Sequence, residues 1–576
     1  MHQIEKKALS LISNQKYAEL NKFLPKIKPI NLILWYDCQI LLAHLDRDLG
    51  LANELLDTRL DIHSDNMPYD NLCLFAEIRS NGFRYREATL LIQKAMPLSN
   101  GDMRAPELLF WVSMRQGLFD QASHTIELIQ MQMPHEAKYS LYRLVLANAE
   151  GNQQAVIDNW LASKDEICSL EPSDLGAKVS YTIIVAYCFF GRYKEAEEII
   201  QFWTKDYGAD QWFQMACSLL AKSQGLFSDS IACYEKIIEQ APDFIEAKWN
   251  RALTLLAAGR TREGFEAHEV RWEWDEYESP YLAPGVVAWD GSSNLDGRRL
   301  LLWGEQGIGD QIMFLSLLGS LLTKYPLVSV TIEVEKKLVP LIQAWYPECT
   351  VREFCDPELL ESRKEECFDY QLALGSLGRF FDPLDPAVNE SVRTFSAPSK
   401  EQSDELLGQF GKMYKVVIGI GWRSGNTKAK RRHQYFNVEG VKSIISSCPD
   451  DFGFVSLQYG ITNEERDALS ELGNVFIPDD DFFDNVSLHA EYAALCDLVI
   501  TPRTVLVYLG ALSRVPVLMW ADKYAWPWLG QSQWPWFQNI LCIKCDNGWD
   551  VGALIANIKE RLNILVPQLR ALGKQK

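Results

Sequence analysis

A register of 34 residues constrains the first half of the chain more than any other feature. Turn residues between amphipathic segments recur at this spacing in two runs, the first holding Gln15, Leu49, Phe83, Gly117 and Gly151 and the second holding Gly191, Gly225 and Gly259. A unit of this length contains one helix–turn–helix pair, which buries its apolar face only by stacking on its neighbours. The sequence therefore predicts about eight stacked helix pairs over residues 1–271.

The two runs are out of step with each other. Gly151 and Gly191 stand 40 residues apart, so six residues exceed the register. These fall near residues 162–177, a stretch that contains Glu171, Pro172 and Ser173. Turn-forming residues predict a longer loop there, between two blocks of repeats.

Period and recurring residues together resemble the tetratricopeptide repeat. Small residues stand five places after several turn markers, and tyrosines stand two places after others; they are Ala88, Ala122, Ala196, Tyr17, Tyr85 and Tyr193. The resemblance implies a right-handed solenoid whose concave face holds a polypeptide. A dimer contact or a spacer is the alternative use of such repeats.

A glycine-rich turn opens the second half. The apolar run Leu300–Trp303 has the length of a buried strand, and apolar residues resume at helical spacing from Ile312. The turn between them holds Gly304, Glu305, Gln306, Gly307, Gly309 and Asp310. Glycines allow the backbone to approach a ligand closely, whereas carboxylates disfavour a bound phosphate. We therefore expect this turn to present a carboxylate to a neutral substrate.

Two carboxylates in this turn are candidate general bases. Asp310 stands at the start of the helix and suits proton removal from an acceptor hydroxyl, with Glu305 as the rival. Asp is also a favoured helix N-cap, so capping is the structural alternative for Asp310.

Strands and helices alternate from the turn to the end of the chain. Further strands are expected at residues 328–334, 369–374, 416–422, 452–458, 498–501 and 515–520. Such strand-first order predicts two Rossmann-like lobes, residues 299–411 and 412–576, with a cleft between them. Residues 272–298 are rich in turn residues and tryptophan, and we expect them to form a packed linker.

Five motifs in order resemble the tetratricopeptide-containing glycosyltransferases whose catalytic half is related to the lipopolysaccharide heptosyltransferases. They lie at residues 289–314, 369–377, 419–426, 454–458 and 497–501. The resemblance implies an α plus α/β chain with a GT-B fold, and an inverting transfer from a nucleotide sugar without an obligatory metal or other cofactor. It also implies an acceptor bound to the first lobe, with Asp310 as the base.

The second lobe carries the expected donor residues. Thr501, Arg503 and Thr504 precede a helix whose start suits a phosphate. The chain departs here from the heptosyltransferases, which have Asp-Thr and a His four residues after that Thr, where this chain has Arg503-Thr504 and Tyr508. A guanidinium suits a carboxylate or phosphate, so an acidic donor sugar is expected, and a CMP-activated nonulosonic acid fits best. A pairing of Arg503 with a neighbouring acid is the alternative.

Other donor contacts are expected around the loop that begins the second lobe. They are Gly421, Trp422, Arg423, Ser424, Asn426 and, at the end of a later strand, Gln458. A basic run continues from this loop as Lys428, Lys430, Arg431, Arg432 and His433. Surface charge and a flap over nucleotide phosphates are both open interpretations of this run.

Composition narrows the class of protein. The formal net charge of −20 argues against general nucleic-acid binding, which needs a basic face. No signal peptide and no membrane span are expected, and scattered cysteines favour reduced thiols in a cytoplasm. Cys542 and Cys545 are expected to be structural, and Asp479, Asp480 and Asp481 to lead into a helix instead of binding a metal.

Three functions follow from these features. In the first, the repeats hold a bacterial protein, with flagellin the foremost candidate, and the lobes glycosylate its Ser or Thr hydroxyls. In the second, the acceptor is a glycolipid, as in the heptosyltransferases. In the third, the catalytic half is degenerate and the chain acts as a scaffold or chaperone. Asp310, Arg503 and the retained glycine loops favour an enzyme over a scaffold.

Overall fold

A computed structural model gives the fold of the chain. It describes residues 3–62, 67–134, 136–208, 210–274, 277, 285–354, 368–395, 405–424, 434–545 and 551–573. The chain divides into two compact units, Met1–Thr182 and Ile183–Lys576. This division falls within the helical repeats, whereas the repeat pattern placed a boundary at residue 271.

The first unit consists of paired helices. They are α1 (Gln3–Ser13), α2 (Tyr17–Ile27), α3 (Leu32–Leu45), α4 (Leu49–Ile62), α5 (Tyr69–Asn81), α6 (Tyr85–Ala95), α7 (Arg104–Arg115), α8 (Phe119–Gln132), α9 (Lys138–Ala149), α10 (Gln153–Cys168) and α11 (Asp174–Phe189), whose last residues belong to the second unit. Hydrogen bonds between side chains 34 residues apart connect successive pairs. Asn71 donates to Asp37, and Arg104 donates to Asp70. These two polar contacts therefore have the same 34-residue spacing as the predicted turns.

The turn markers end helices in the left-handed conformation. Gly117 has φ +67° and Gly151 has φ +72°, which glycine adopts without a steric penalty. The prediction was wrong in the second repeat, because the left-handed residue there is Arg47, with φ +59°. Leu49 instead begins α4.

The predicted long loop between the two repeat blocks is also wrong. Helices α10 and α11 contain 16 residues each, whereas α9 contains 12. Only residues 169–173 separate α10 from α11. The extra residues therefore lengthen helices, because apolar residues such as Trp160 and Ile167 continue the buried face of α10.

The second unit begins with further helices of the repeat type. They are α12 (Tyr193–Tyr207), α13 (Gln211–Ser223), α14 (Phe227–Gln240), α15 (Ile245–Ala257) and α16 (Thr261–Ala267). A 3-10 turn, His268–Glu273, follows α16. The described part of the linker packs on the sheet that comes next: Trp289 is 1% exposed, and Ala288 bridges Gln371.

The first lobe is a parallel sheet of four strands. Its strands are β1 (Arg299–Trp303), β2 (Ser329–Val334), β3 (Thr350–Glu353) and β4 (Tyr370–Ala373), in the order β3-β2-β1-β4. Its helices are α17 (Ile308–Leu315), α18 (Leu318–Lys324), α19 (Val339–Trp345) and α20 (Pro386–Glu390). Strand order reverses between β1 and β4, and ligands of such sheets bind at the carboxyl ends of the strands beside this reversal.

The second lobe is a parallel sheet of six strands. Its strands are β5 (Val416–Ile420), β6 (Phe452–Ser456), β7 (Val475–Phe476), β8 (Leu498–Pro502), β9 (Val517–Asp522) and β10 (Ile540–Cys545), in the order β10-β9-β8-β5-β6-β7. Its helices are α21 (Phe410–Met413), α22 (Val438–Ile445), α23 (Asn463–Ser470), α24 (Val486–Ala494), α25 (Val505–Leu512) and α26 (Val551–Gly573). This is the Rossmann order, with its reversal between β5 and β8.

The predicted fold class is confirmed: helix pairs of the tetratricopeptide type precede two Rossmann-like lobes of the GT-B kind. Within the described ranges, no helix combines the length and the apolar character needed to cross a membrane. Cys542 and Cys545 occupy β10 three residues apart, so their side chains point to opposite faces of the sheet.

Candidate active site

The two lobes meet at the starts of α17 and α25. Tyr508 Cε2 would lie 3.3 Å, and the Cα of Val505 3.7 Å, from a Cβ built on Gly309. The Tyr508 hydroxyl donates to Met313 Sδ at 3.4 Å, and Tyr508 is 3% exposed. The Tyr508 side chain is therefore buried against α17, and its contact with a donor stays a prediction.

Asp310 lies in the first turn of α17 and is half-buried. Gly307 is the N-cap of this helix, and its carbonyl accepts the Asp310 N–H at 2.9 Å. The capping explanation for Asp310 is therefore wrong. A carboxylate in the first turn is stabilised in its ionised form by the positive end of the helix dipole.

Glu305 has the opposite environment, because its side chain is 0% exposed. Arg271 donates to both of its oxygens, from Nε to Oε2 at 2.7 Å and from Nη2 to Oε1 at 2.9 Å. The Gly375 N–H donates to Oε1 and the Tyr277 hydroxyl to Oε2, each at 2.7 Å. Glu305 is thus enclosed by four donors, which does not fit the rival role of a general base that accepts a proton from a substrate.

Charge and burial act together on the partners of Glu305. Burial alone would lower the pKa of the Arg271 guanidinium, but the carboxylates of Glu305 and Glu269 outweigh it and hold this pKa above its usual value. Burial, and then the charge of Glu305, raise the pKa of Tyr277 above its usual value. Arg271 is therefore a charged donor to Glu305, and Tyr277 is a neutral one.

Arg503 lies between β8 and α25 and is half-buried. Among the residues that the structure describes, none forms an ion pair or a hydrogen bond with its guanidinium. The alternative expectation, in which Arg503 pairs with a neighbouring acid, is therefore not met among the described residues. Thr504 is the N-cap of α25 without a side-chain capping bond, and its hydroxyl lies 3.1 Å from that of Thr501.

The loop after β5 is held by Gln458. Its Oε1 accepts the N–H groups of Trp422 and Arg423, both at 2.9 Å, and its Nε2 donates to the Arg423 and Tyr459 carbonyls. The Gln458 amide is thus used within the protein. It positions the loop, and the predicted contact of Gln458 with a donor stays a prediction.

Two further residues of the predicted donor site have side-chain partners inside the lobe, and their contacts with a donor stay predictions. Trp422 is 0% exposed, and its Nε1 donates to Glu465 at 3.0 Å. Arg423 also pairs with Glu465, at 2.6 Å, and donates to the Gly460 carbonyl at 2.7 Å. The local sequence shows the charge of Arg423 but not its partner Glu465, which lies 42 residues away.

Gly421 and Ser424 lie where the sequence predicted, at the carboxyl edge of the second sheet. A Cβ on Gly421 would meet Leu506 at 2.8 Å, so this glycine lets the loop approach α25. The Ser424 hydroxyl lies 3.1 Å from that of Tyr459. Asn426 and the basic residues 428–433 lie outside the described residues.

A cavity of about 250 Å³ opens between the two lobes at this point. Its lining combines the start of α17, the start of α25, the loop after β5 and aromatic side chains; it includes Ile308, Val505, Ser424, Tyr459, Phe482 and Phe483. Ile308 precedes Asp310 by two residues, and Val505 follows Arg503 by two. The two helix starts next to Asp310 and Arg503 therefore border one cleft, through Ile308 and Val505.

A wider cavity of about 880 Å³ adjoins it, since both are lined by Glu335 and Lys337. Lys337 of the first lobe lies 4.0 Å from the Phe483 ring centroid of the second. Sequence reasoning missed these residues and Tyr459. The signal was available, because Glu335 and Tyr459 follow the ends of β2 and β6 closely.

The three consecutive aspartates do not converge on one point. Asp479 pairs with Arg466, Asp480 accepts from the Tyr492 hydroxyl, and Asp481 accepts the Phe483 N–H. Asn485 caps α24 immediately afterwards. The expected helix entry is confirmed.

No family model matches this sequence. The chain is 28% identical over 322 residues to the protein FlbA of Caulobacter vibrioides, and the match covers 52% of either protein. The chain therefore spans about half the length of this curated relative.

Solved structures are similar to separate parts of the chain. A glycosyl transferase family 9 protein from Veillonella parvula is 13% identical, with a TM-score of 0.36, and covers 49% of this chain and 99% of its own. The Escherichia coli ADP-heptose lipopolysaccharide heptosyltransferase II is 17% identical, with a TM-score of 0.34, and covers 47% and 99%. A tetratricopeptide protein of Thermus thermophilus is 17% identical, with a TM-score of 0.28, and covers 33% and 99%. At such low TM-scores, the fold is assigned from the helix pairs and the sheet order of this chain.

Proposed function

We propose that this protein is an inverting, metal-independent glycosyltransferase that moves an acidic sugar from a nucleotide-activated donor to Ser or Thr hydroxyls of a protein. The observation that carries the proposal is the meeting of α17 and α25 in one cleft between two Rossmann-like sheets. One helix start bears the half-buried carboxylate of Asp310, and the other follows Arg503, whose guanidinium has no ion-pair partner among the described residues.

The proposed reaction needs one base and one anion-binding group. The acceptor oxygen attacks the anomeric carbon while the bond from that carbon to the phosphate oxygen breaks. The acceptor proton passes to the Asp310 carboxylate, and the nucleoside monophosphate leaves with the bonding electron pair. Free N–H groups at the start of α25 suit the charge that develops on the leaving phosphate.

Arg503 is the proposed specificity residue. A guanidinium without a protein partner gains most from a planar anion, which it binds with two parallel hydrogen bonds. A nonulosonic acid carries such a carboxylate beside its anomeric carbon. The proposed donor is therefore the CMP derivative of a nonulosonic acid.

The proposed acceptor is a polypeptide held by the repeats, with flagellin as the first candidate and the cytoplasm as the place of reaction. Support comes from the second unit, in which the last repeat helices and both lobes form one compact body. Stacked repeats present an extended surface of the kind that binds peptides.

Intact-mass measurement tests this proposal. Flagellin is co-expressed with this protein and with a supply of a CMP-activated nonulosonic acid. We expect one or more additions of the sugar residue mass, lost in the Asp310→Asn variant. No addition with any of several activated sugars, from a protein that binds the nucleotide, would contradict the proposal.

A further inference from the structure

The last turn of the repeat region supplies a buried arginine to the first lobe. Arg271 belongs to the 3-10 turn His268–Glu273 and is 0% exposed, as is Glu305. Its guanidinium also donates to Glu269 at 2.7 Å and to the Ser376 hydroxyl at 2.8 Å. The Trp272 ring centroid lies 4.2 Å from its Cζ, so the indole covers the guanidinium as well.

Glu305 connects this arginine to both sides of the strand-order reversal. It lies in the loop after β1, and it accepts the N–H of Gly375 in the 3-10 turn Leu374–Arg379 that follows β4. A Cβ on Gly375 would lie 2.3 Å from Glu305 Oε1, so only glycine allows this approach. The carboxylate thus joins the loop after β1 to the 3-10 turn after β4, at the carboxyl ends of the two strands.

The same loop leads directly to Asp310. Glu305 precedes Gly307, the N-cap of α17, by two residues, and Gln306 between them has φ +59°. A glutamine with left-handed backbone is strained, and this conformation persists only where the surrounding structure holds it in place. Anchoring of Glu305 on one side and the start of α17 on the other supplies that constraint.

We infer that Arg271 is a positioning residue for the transfer reaction: it holds Glu305, and through the Gly304–Gly307 turn it sets the place of Asp310. The inference rests on the proposed function for its catalytic consequence. It implies that the transfer site is complete only when the last turn of the repeat region is present. Removing the repeats would then remove a part of the active site as well as the acceptor-binding surface.

Three variants test the role of the pair. Arg271→Met leaves Glu305 buried without its cation, Glu305→Gln removes the charge, and Arg271→Met/Glu305→Met removes both charges. Replacing both partners of a buried ion pair by apolar residues is often neutral for folding, so the double variant separates position from stability. Arg260→Met is the matched control, because Arg260 pairs with Glu263 on the surface.

Steady-state transfer provides the first readout. We expect the folded double variant to lose about 100-fold in kcat, because a displacement of about 1 Å at a reacting group has a cost of this size. The KM for the donor is expected to change less than about threefold, since the donor contacts lie on the second lobe. A folded double variant with the kcat of the wild type overturns the inference.

Amide hydrogen exchange provides a second readout that needs no substrate. We expect faster exchange over residues 304–311 in Arg271→Met and in the double variant, but not in Arg260→Met. Unchanged exchange in that segment overturns the inference, whatever the activity. If the wild-type protein transfers no sugar, the proposed function fails separately, and the exchange result still decides whether Arg271 positions the turn.

Discussion

Gly309 of the first lobe lies directly against Val505 of the second, with 3.7 Å between the Val505 Cα and the place of a Gly309 Cβ. This contact brings together two helix starts that belong to different sheets. The removal of the acceptor proton proposed for Asp310 on α17 and the anion binding proposed for the start of α25 both depend on it.

Enlarging Gly309 should therefore weaken the contact between the lobes. We expect Gly309→Val to lower the free energy of unfolding by about 1–3 kcal/mol, the usual cost of overpacking, and to reduce transfer strongly. Chemical denaturation and transfer assays measure the two effects. Gly50→Ala is the control, because a Cβ on Gly50 would meet nothing closer than 3.6 Å. Equal stability of both variants would contradict the close contact.

Asp310→Asn should remove the proposed base while leaving the shape of the turn unchanged. We expect kcat to fall by about 10²- to 10⁴-fold, the range usual for loss of a general base. Donor binding, measured by calorimetry, should stay within about threefold of the wild type, because the amide keeps the volume of the carboxylate. Near-normal turnover would exclude Asp310 as the base.

Arg503→Ala should weaken binding of an acidic donor more than binding of the bare nucleotide. A hydrogen bond to a charged group contributes about 1.5–3 kcal/mol, which corresponds to roughly 10- to 150-fold in Kd. Calorimetry with CMP and with the CMP-activated nonulosonic acid separates the two contributions. An equal loss for both ligands would assign Arg503 to the phosphate, and no loss for either would reject its role.

Gly530→Ala tests how the repeats contact the second lobe. The Gly530 φ is +71°, and a Cβ there would lie 2.9 Å from the Gly259 N of the repeat region. Gly297→Ala is the matched control, with φ +73° and no atom within 4 Å. Both variants lose about 1–2 kcal/mol to the left-handed backbone, and Gly530→Ala should lose about 1–3 kcal/mol more to the clash. Denaturation curves with equal losses would exclude a tight contact.

His489 should make the protein less stable in mild acid. Burial lowers its pKa to about 4, although its hydrogen bond to the Leu457 carbonyl favours the protonated ring. Below the ordinary histidine pKa near 6.5, the unfolded chain binds a proton at His489 and the folded state does not. The free energy of unfolding therefore falls as the pH drops from about 6.5 to about 4. The loss reaches about 3 kcal/mol. Urea denaturation at several pH values in this range measures the free energy of unfolding of the wild type and of His489→Gln. This free energy should fall less with decreasing pH in the variant, and an equal fall in both proteins would contradict the prediction.

Sequence periodicity was enough to predict the helix pairs and most strands of the two sheets, because each of these elements depends on residues that are close along the chain. The short strands β3 and β7 were not predicted. Gly117 and Gly151 are left-handed where the 34-residue register puts a turn. The register failed at Leu49 and at the insertion near residue 170, where apolar residues extended helices past the expected turn.

The candidate site needed the tertiary structure, because the partner of a charge is chosen by long-range packing. Arg423 and Arg503 each lie in a loop after a buried strand, yet within the described ranges Arg423 pairs with a carboxylate, that of Glu465, and Arg503 does not. Glu305 and Asp310 share one turn, yet Glu305 is buried and paired with Arg271, whereas Asp310 is half-exposed at a helix start. Local sequence determined which groups could act, and the packing of distant segments decided which of them already had a partner.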